Sequence, residues 1–412
     1  MAMNLSSVAQ VSLPREHDNF AATNDAFSFW KLPEECREQL EPMIQISETI
    51  ANSYLFEEYL DDRNRRPPPI LRAYYPFKNF IPRNLRHFAN SIVIRARRQR
   101  EFPQWPCETA LVDFWRQWLC TSLESVGDEY AWHIGFWPAG KQCCIVLTHD
   151  VESPAGLSRM AQMADLEEEC GFRSAWNLPL AQYPIDWKMV EDLRSRGFEF
   201  GAHGLSHDGR LFRSRKDFDS LAPIIERMAL EHNLRGFRSP STLRNAEWIA
   251  TMRFDFDSSF SDTDPYEPQP GGTCSLFPFF LSDMIELPYT LPQDHTLIHI
   301  LKRDPLPVWT TKAQWIAEMG GMILVLTHPD YSGTGRHLDD YRQLLKRLQA
   351  VENGWRALPS MVADWWRRRA RASLFVRDSS PMICGPDSDS ALAVRLKAEP
   401  LARERVENDE HP

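Results

Sequence analysis

The stretch CIVLTHDVESPAGLSRMAQMADLEEECGFRSAWNL, residues 144–178, decides the fold. It opens with an apolar run of strand length (144–148) that ends in His-Asp. A helix closed by glycine follows over 157–171, and a second strand over 172–178. The same rhythm continues outward. Residues 186–197 read as another helix with a glycine stop, and FEFGA (198–202) as a strand. GFRSP (236–240), FDFDSS (254–259) and MILVLTHPD (322–330) repeat the scheme. Such alternation predicts an α/β domain of parallel strands covered by helices, either a barrel or an open sheet. In both, the active site is built at the carboxyl ends of the strands.

Around this core the chain changes character. Residues 1–28 are polar and aperiodic, which predicts a disordered N-terminus. Over 29–140, Leu40, Met43, Ile44, Ile50 and Tyr54 recur at helical spacing, as do Leu111, Phe114, Trp115 and Trp118, with a Pro-Pro-Pro break at 67–69. This predicts a mainly helical N-terminal region. Within it, IPRNLRHFANSIVIRARRQR (81–100) carries six arginines and no acid. A helix there either packs on the main domain with its charged face solvated, or makes peripheral contact with an anionic membrane or an acidic partner. Residues 339–371 read as a C-terminal helical segment closing a domain that begins at 141, and the composition of 373–412 predicts a flexible tail.

The totals describe an ordinary soluble protein. The 412 residues include 43% hydrophobic and 25% charged side chains, and the formal net charge of −10 argues against a nucleic-acid partner. Eight cysteines show no CxxC pair and no framework spacing, as expected of a reduced, cytoplasmic protein. The first residues have neither the basic start nor the apolar segment of a secretory signal.

Four strand ends bring chemistry: His149, Asp150 and Glu152 from LTHDVE; His203 and His207 from AHGLSHD; Arg238 from FRSP; and His328 from LTHPD. A divalent metal needs a few N and O donors converging from rigid elements, and two histidines plus one carboxylate meet that need. A second carboxylate, not bound to metal, can take a proton from water while a separate histidine supplies one to a leaving group. Arg238 near a carboxylate would keep it ionised. Together these groups suit a metal-assisted hydrolase.

Their order resembles the polysaccharide deacetylase family. THDVE (148–152) is similar to the family's TFDDG, HGLSH (203–207) to H-(S/T)-x-x-H, RSPS (238–241) to R-x-P-Y, FDFDSS to GYxYDSS, and LTH (326–328) to L-x-H. The resemblance covers about 143–330. It implies a distorted (β/α) barrel holding a divalent metal, often zinc, and removing N-acetyl groups from amino sugars. By position it makes His203 and His207 ligands, Arg238 the orienter of the base, and His328 the catalytic acid with Asp257 as a tuning group. Pro240 and Ser241 would lie in the substrate groove. Where the family has two adjacent aspartates this chain has Asp150, Val151 and Glu152. Asp150 is then the base and Glu152 the third ligand, with the two roles open to exchange, and His149 packs or hydrogen-bonds.

Two further departures bear on substrate. Ser241 replaces the motif's tyrosine, and residues 268–298, rich in Pro, Gly and Phe, suggest a lid or wall. With a cytoplasmic location they point to a sugar precursor, lipid- or nucleotide-linked, used in surface-polysaccharide synthesis. Two rivals follow from the same residues: an allantoinase-like small-molecule amidase, and a non-catalytic glycan-binding relative, the latter suggested by Val151.

Overall fold

The computed structural model describes residues 23–60, 102–386 and 388–397. Its centre is β2 (Cys143–Asp150), in which all eight residues are buried. A strand so uniformly apolar until its last residues must be covered on both faces. β2 pairs in parallel with β9 (Met322–Thr327) along one edge, and along the other with β3 (Ser174–Leu178) and β10 (Gly354–Arg356). From β3 the sheet continues in parallel through β4 (Glu199–Ala202), β5 (Gly236–Phe237), β6 (Phe256–Asp257) and β8 (Met284–Glu286), with β7 (Phe279–Leu281) hairpinned onto β8.

The sheet curls. Beyond β8 the chain runs back toward β9, where the Thr290 and Leu291 amides donate to the Leu324 carbonyl and the Leu324 amide donates to Thr290 Oγ1. The result is a distorted (β/α) barrel whose far side is bridged by residues 287–291. Residues 268–298, expected as a lid or wall, are buried almost throughout and form this closing wall.

Helices cover the outside, and two of them start at a clear side-chain cap. Asp186 caps α5 (Trp187–Ser195) and Ser214 caps α6 (Arg215–Glu231), their side-chain oxygens accepting first-turn amides. Between β2 and β3, α4 (Met160–Glu169) buries Met160, Met163, Ala164 and Leu166 against the sheet. α7 (Pro305–Glu318) leads into β9, and α8 (Gly335–Gln349), β10 and α9 (Pro359–Arg371) follow it.

The N-terminal region is helical, with α1 (Ala26–Trp30), α2 (Arg37–Leu55) and α3 (Ala110–Val126) followed by β1 (Tyr130–Ile134). These helices share an apolar core of Phe27, Trp30, Leu40, Ile44, Leu111 and Trp115 that runs on to Phe279 of the barrel.

Two expectations about the ends need correction. Residues 23–28 are ordered: Asp25 accepts the Ser28 amide, which starts α1, and Ala26 and Phe27 are buried. Of the flexible tail expected over 373–412, the described part forms β11 (Ser373–Arg377) hairpinned on β12 (Ser380–Cys384), and β13 (Ala393–Lys397), which pairs antiparallel with all of β1. The basic stretch 81–100, expected to make the membrane or acidic-partner contact, lies outside the described residues. No helix among the described residues is long and apolar enough to cross a membrane. All eight cysteines are free thiols.

Candidate metal and catalytic site

The end of β2 sorts its residues by direction. Val151 is fully buried in the apolar core, so an acid there would point away from the histidines, and the next outward-facing side chain is Glu152. Glu152 Oε1 lies 2.8 Å from His207 Nε2. Asp150, by contrast, sits deeper: its Oδ1 accepts the Asn177 amide at 2.8 Å and is 3.5 Å from Arg238 Nη1, and its Oδ2 is 3.8 Å from His203 Nε2.

His203 follows β4 directly, and Gly204 after it has a positive φ of 68° and lies against Pro240. A side chain at 204 would approach the Pro240 ring to 2.9 Å, so glycine is what allows the two loops to close on each other. His203 Nδ1 bonds to the Arg238 carbonyl at 3.0 Å, which makes Nδ1 the protonated nitrogen and leaves Nε2 with its lone pair. That Nε2 is buried and has no hydrogen-bond partner. Burial, with His207 alongside, brings the His203 pKa down to about 4, so the ring is neutral as a ligand must be.

Glu152, His203 and His207 each present one donor atom, and the three lie within 4.8 Å of one another. Two imidazoles, one carboxylate and an orphaned buried nitrogen aimed among them fit a divalent cation. The Ser241 amide also reaches His207, donating to Nε2 at 3.2 Å. Ser241 and buried Pro240 thus stand beside the cluster, Ser241 with φ at 56°.

Arg238 is fully enclosed. Its Nε and Nη2 donate to the Ser258 carbonyl and hydroxyl, and Nη1 to Thr148 Oγ1, which fixes the guanidinium against Asp150. Burial alone would push the Asp150 carboxyl up, but His203, Arg238, His328 and the Asn177 amide bring it below the usual range. Because His203 is itself neutral, Arg238 and His328 are the lasting contributors.

His328 closes the other side, its Nε2 3.9 Å from Glu152 Oε1. Asp257, expected as its tuning group, has other partners. Asp257 is buried against Glu286, with which it shares a hydrogen bond, and its Oδ1 accepts the Ser259 hydroxyl at 2.7 Å. The partner of His328 is Asp294, 2.6 Å from Nδ1, which also accepts the His328 amide and the Ser332 hydroxyl. Burial would lower the His328 pKa, but the charge and hydrogen bond of Asp294 outweigh it and raise it to about 10.

His149 turns into the core. Its ring bonds Thr327 Oγ1 and Glu167, and Glu167 in turn accepts the Tyr341 and Ser174 hydroxyls. Two groups escaped the sequence reading. Asn177 had a signal, as a polar residue closing an apolar strand, and it stands opposite Asp150 in the β2–β3 register. Asp294 had none, lying in an aperiodic stretch that meets His328 only because the wall closes the barrel.

Among solved structures, the chain is similar to a protein assigned as a polysaccharide deacetylase from Mycobacterium smegmatis, at 17% identity and a TM-score of 0.46 over 56% of this chain and 92% of that one. A second, assigned likewise in Pseudomonas aeruginosa PAO1, gives 12% and 0.44 over 55% and 91%. Puue allantoinase gives 12% and 0.45 over 56% and 92%. No family model and no curated protein matches the chain.

Proposed function

We propose that the protein is a metal-dependent hydrolase that removes the acetyl group from an N-acetylated amino sugar, acting on a glycan precursor in surface-polysaccharide synthesis. The observation that carries this reading is the convergence of Glu152, His203 and His207, with Asp150 against one member and His328 against another. The motif resemblance of 148–152, 203–207, 238–241 and 326–328 supplies the substrate class.

Glu152, His203 and His207 would hold the metal, which we take to be zinc from its preference for imidazole and carboxylate donors. Once bound, it supplies polarisation of the acyl carbonyl and a lowered pKa for water. Asp150 accepts the proton of the attacking water as the C–O bond forms, and Arg238 keeps that carboxylate ionised and oriented. His328, held as a cation by Asp294, gives its proton to the departing nitrogen as the C–N bond breaks. Acetic acid and the free amine leave and take up their ionised forms in solvent, Asp150 loses its proton to solvent, and His328 takes one back, which restores both groups.

Acetate release from N-acetylhexosamine substrates by the zinc-loaded protein tests this. His203→Ala and Glu152→Gln should lower bound zinc, measured by elemental analysis. Asp150→Asn should keep zinc and lose turnover by at least about 100-fold. Zinc and tight sugar binding without turnover would instead mark a glycan-binding protein, and hydrolysis of small cyclic amides alone an amidase.

A further inference from the structure

The site is more exposed on one side than on the other. The His203 and Asp150 side chains are 1% and 3% exposed, whereas those of His207 and Glu152 reach 10% and 22%. On that more exposed side stands Tyr331, whose hydroxyl donates to Glu152 Oε2 at 3.1 Å and whose ring centre is 5.2 Å from that of His328. Two more imidazoles pack on the same tyrosine, His295 at 5.4 Å and His299 at 4.7 Å, with 5.8 Å between the two rings. Both come from one short π-helix, His295–Leu301, a rare turn often found at functional sites. Lys302 and Arg303 follow at once, both exposed, and the run 295–303 contains no acid. The next acid, Asp304, is paired with Arg336.

The chain as a whole carries a net charge of −10, yet the element beside the opening sets two imidazoles next to the cations Lys302 and Arg303. A neutral polymer would gain nothing from that arrangement. An anion would be drawn to it and oriented by it. We infer that His295 and His299 recognise a phosphate group on the substrate, so that the site takes a phosphate- or diphosphate-bearing N-acetylated amino sugar and not a free sugar or neutral glycan. This rests on the deacetylase reading above and deepens it. Phosphate is the shared chemistry of nucleotide-linked and lipid-linked sugars.

The decisive measurement is binding of inorganic pyrophosphate by calorimetry to the metal-free full chain, which needs no turnover and keeps zinc from acting as the ligand. Wild type should bind, and His295→Gln/His299→Gln should bind at least 10-fold more weakly, with an unchanged thermal transition to show that it folds. In the zinc-loaded enzyme, the ratio of kcat/KM for N-acetylglucosamine 1-phosphate to that for N-acetylglucosamine should exceed 10 and fall about 10-fold in the double variant. Nucleotide diphosphate and vesicle-borne lipid diphosphate sugars, run as separate arms, identify the source of the phosphate. Absence of pyrophosphate binding at millimolar concentration overturns the inference. So does a charge preference kept in full by His295→Phe/His299→Phe, which would make the rings a stacking wall. Pyrophosphate binding without acetate release from any substrate sinks the deacetylase reading and leaves the phosphate site standing.

Discussion

His328 owes its charge to Asp294, and that debt can be measured. Asp294→Asn keeps the shape and an acceptor for Nδ1 but removes the negative charge that outweighs burial. Under the proposed reaction, kcat should fall by about 100-fold, the low end of what a general acid contributes, with a smaller effect on KM. Stability should fall by about 3 kcal/mol, because the pair is buried and one partner is left behind; urea unfolding reads that cost. Glu199 offers a second test, away from the Glu152, His203 and His207 cluster. Its Oε1 is buried without a partner and Oε2 accepts the Ser360 amide, and burial outweighs the hydrogen bonds from Ser360 and pushes the carboxyl up to about 7. A raised carboxyl favours the folded state in its protonated form. That contribution is full below about pH 4.5, the ordinary value, and is lost as pH rises through about 7. Glu199→Gln should therefore gain on wild type as pH rises, by about 2 kcal/mol at pH 8 compared with pH 4.5, visible as a smaller drop in Tm over that range.

Elements built on strong periodicity were legible from sequence, and those built on pairing alone were not. β2 and β9 announce themselves as unbroken apolar runs because both of their faces are covered. The histidine loop is legible because FEFGA stops where HGLSH begins. By contrast, β13 shows mostly exposed or half-exposed side chains, so nothing in its composition distinguishes it from a tail; its strand character comes from the ladder with β1. α1 is five residues long, too short to show a period, and only the Asp25 cap marks it. Glu152 was legible as a candidate, but its separation from Asp150 depends on Val151 turning into the core, a backbone fact. The C-terminal strands should then matter to stability. Truncation after Ala372 removes buried Leu374 and Ala391 and strips β1 of its partner. It should lower Tm by at least about 5 °C in calorimetry, given about 2–4 °C per kcal/mol in domains of this order. A tail without structural role would leave Tm unchanged.

At the scale of the whole molecule, the question is what fastens the N-terminal helices to the barrel. Shared apolar surface supplies attraction, but register between the two parts falls to two buried cations. Arg369, near the end of α9, donates to the carbonyls of Phe29, Ile134 and Gly135 at 2.8–3.0 Å and lies over the rings of Phe136 and Trp366. Lys31 answers from the other side, its Nζ donating to the Ala370 carbonyl at 2.8 Å. Neither forms a salt bridge among the described residues, and burial, with Arg369 beside it, brings the Lys31 amine down to about 8. Carbonyl groups are the partners here, so the cost of losing the guanidinium is three acceptors left enclosed. Arg369→Ala should destabilise the protein by about 3 kcal/mol. Its more telling signature is regional. Amide exchange in α1 and β1 should accelerate well beyond that in β2 and β9, since the latch joins the first pair to the barrel while the second pair is held by its own ladder. Uniform acceleration across all four elements would show that Arg369 serves the core as a whole, and that the N-terminal helices have no separate fastening.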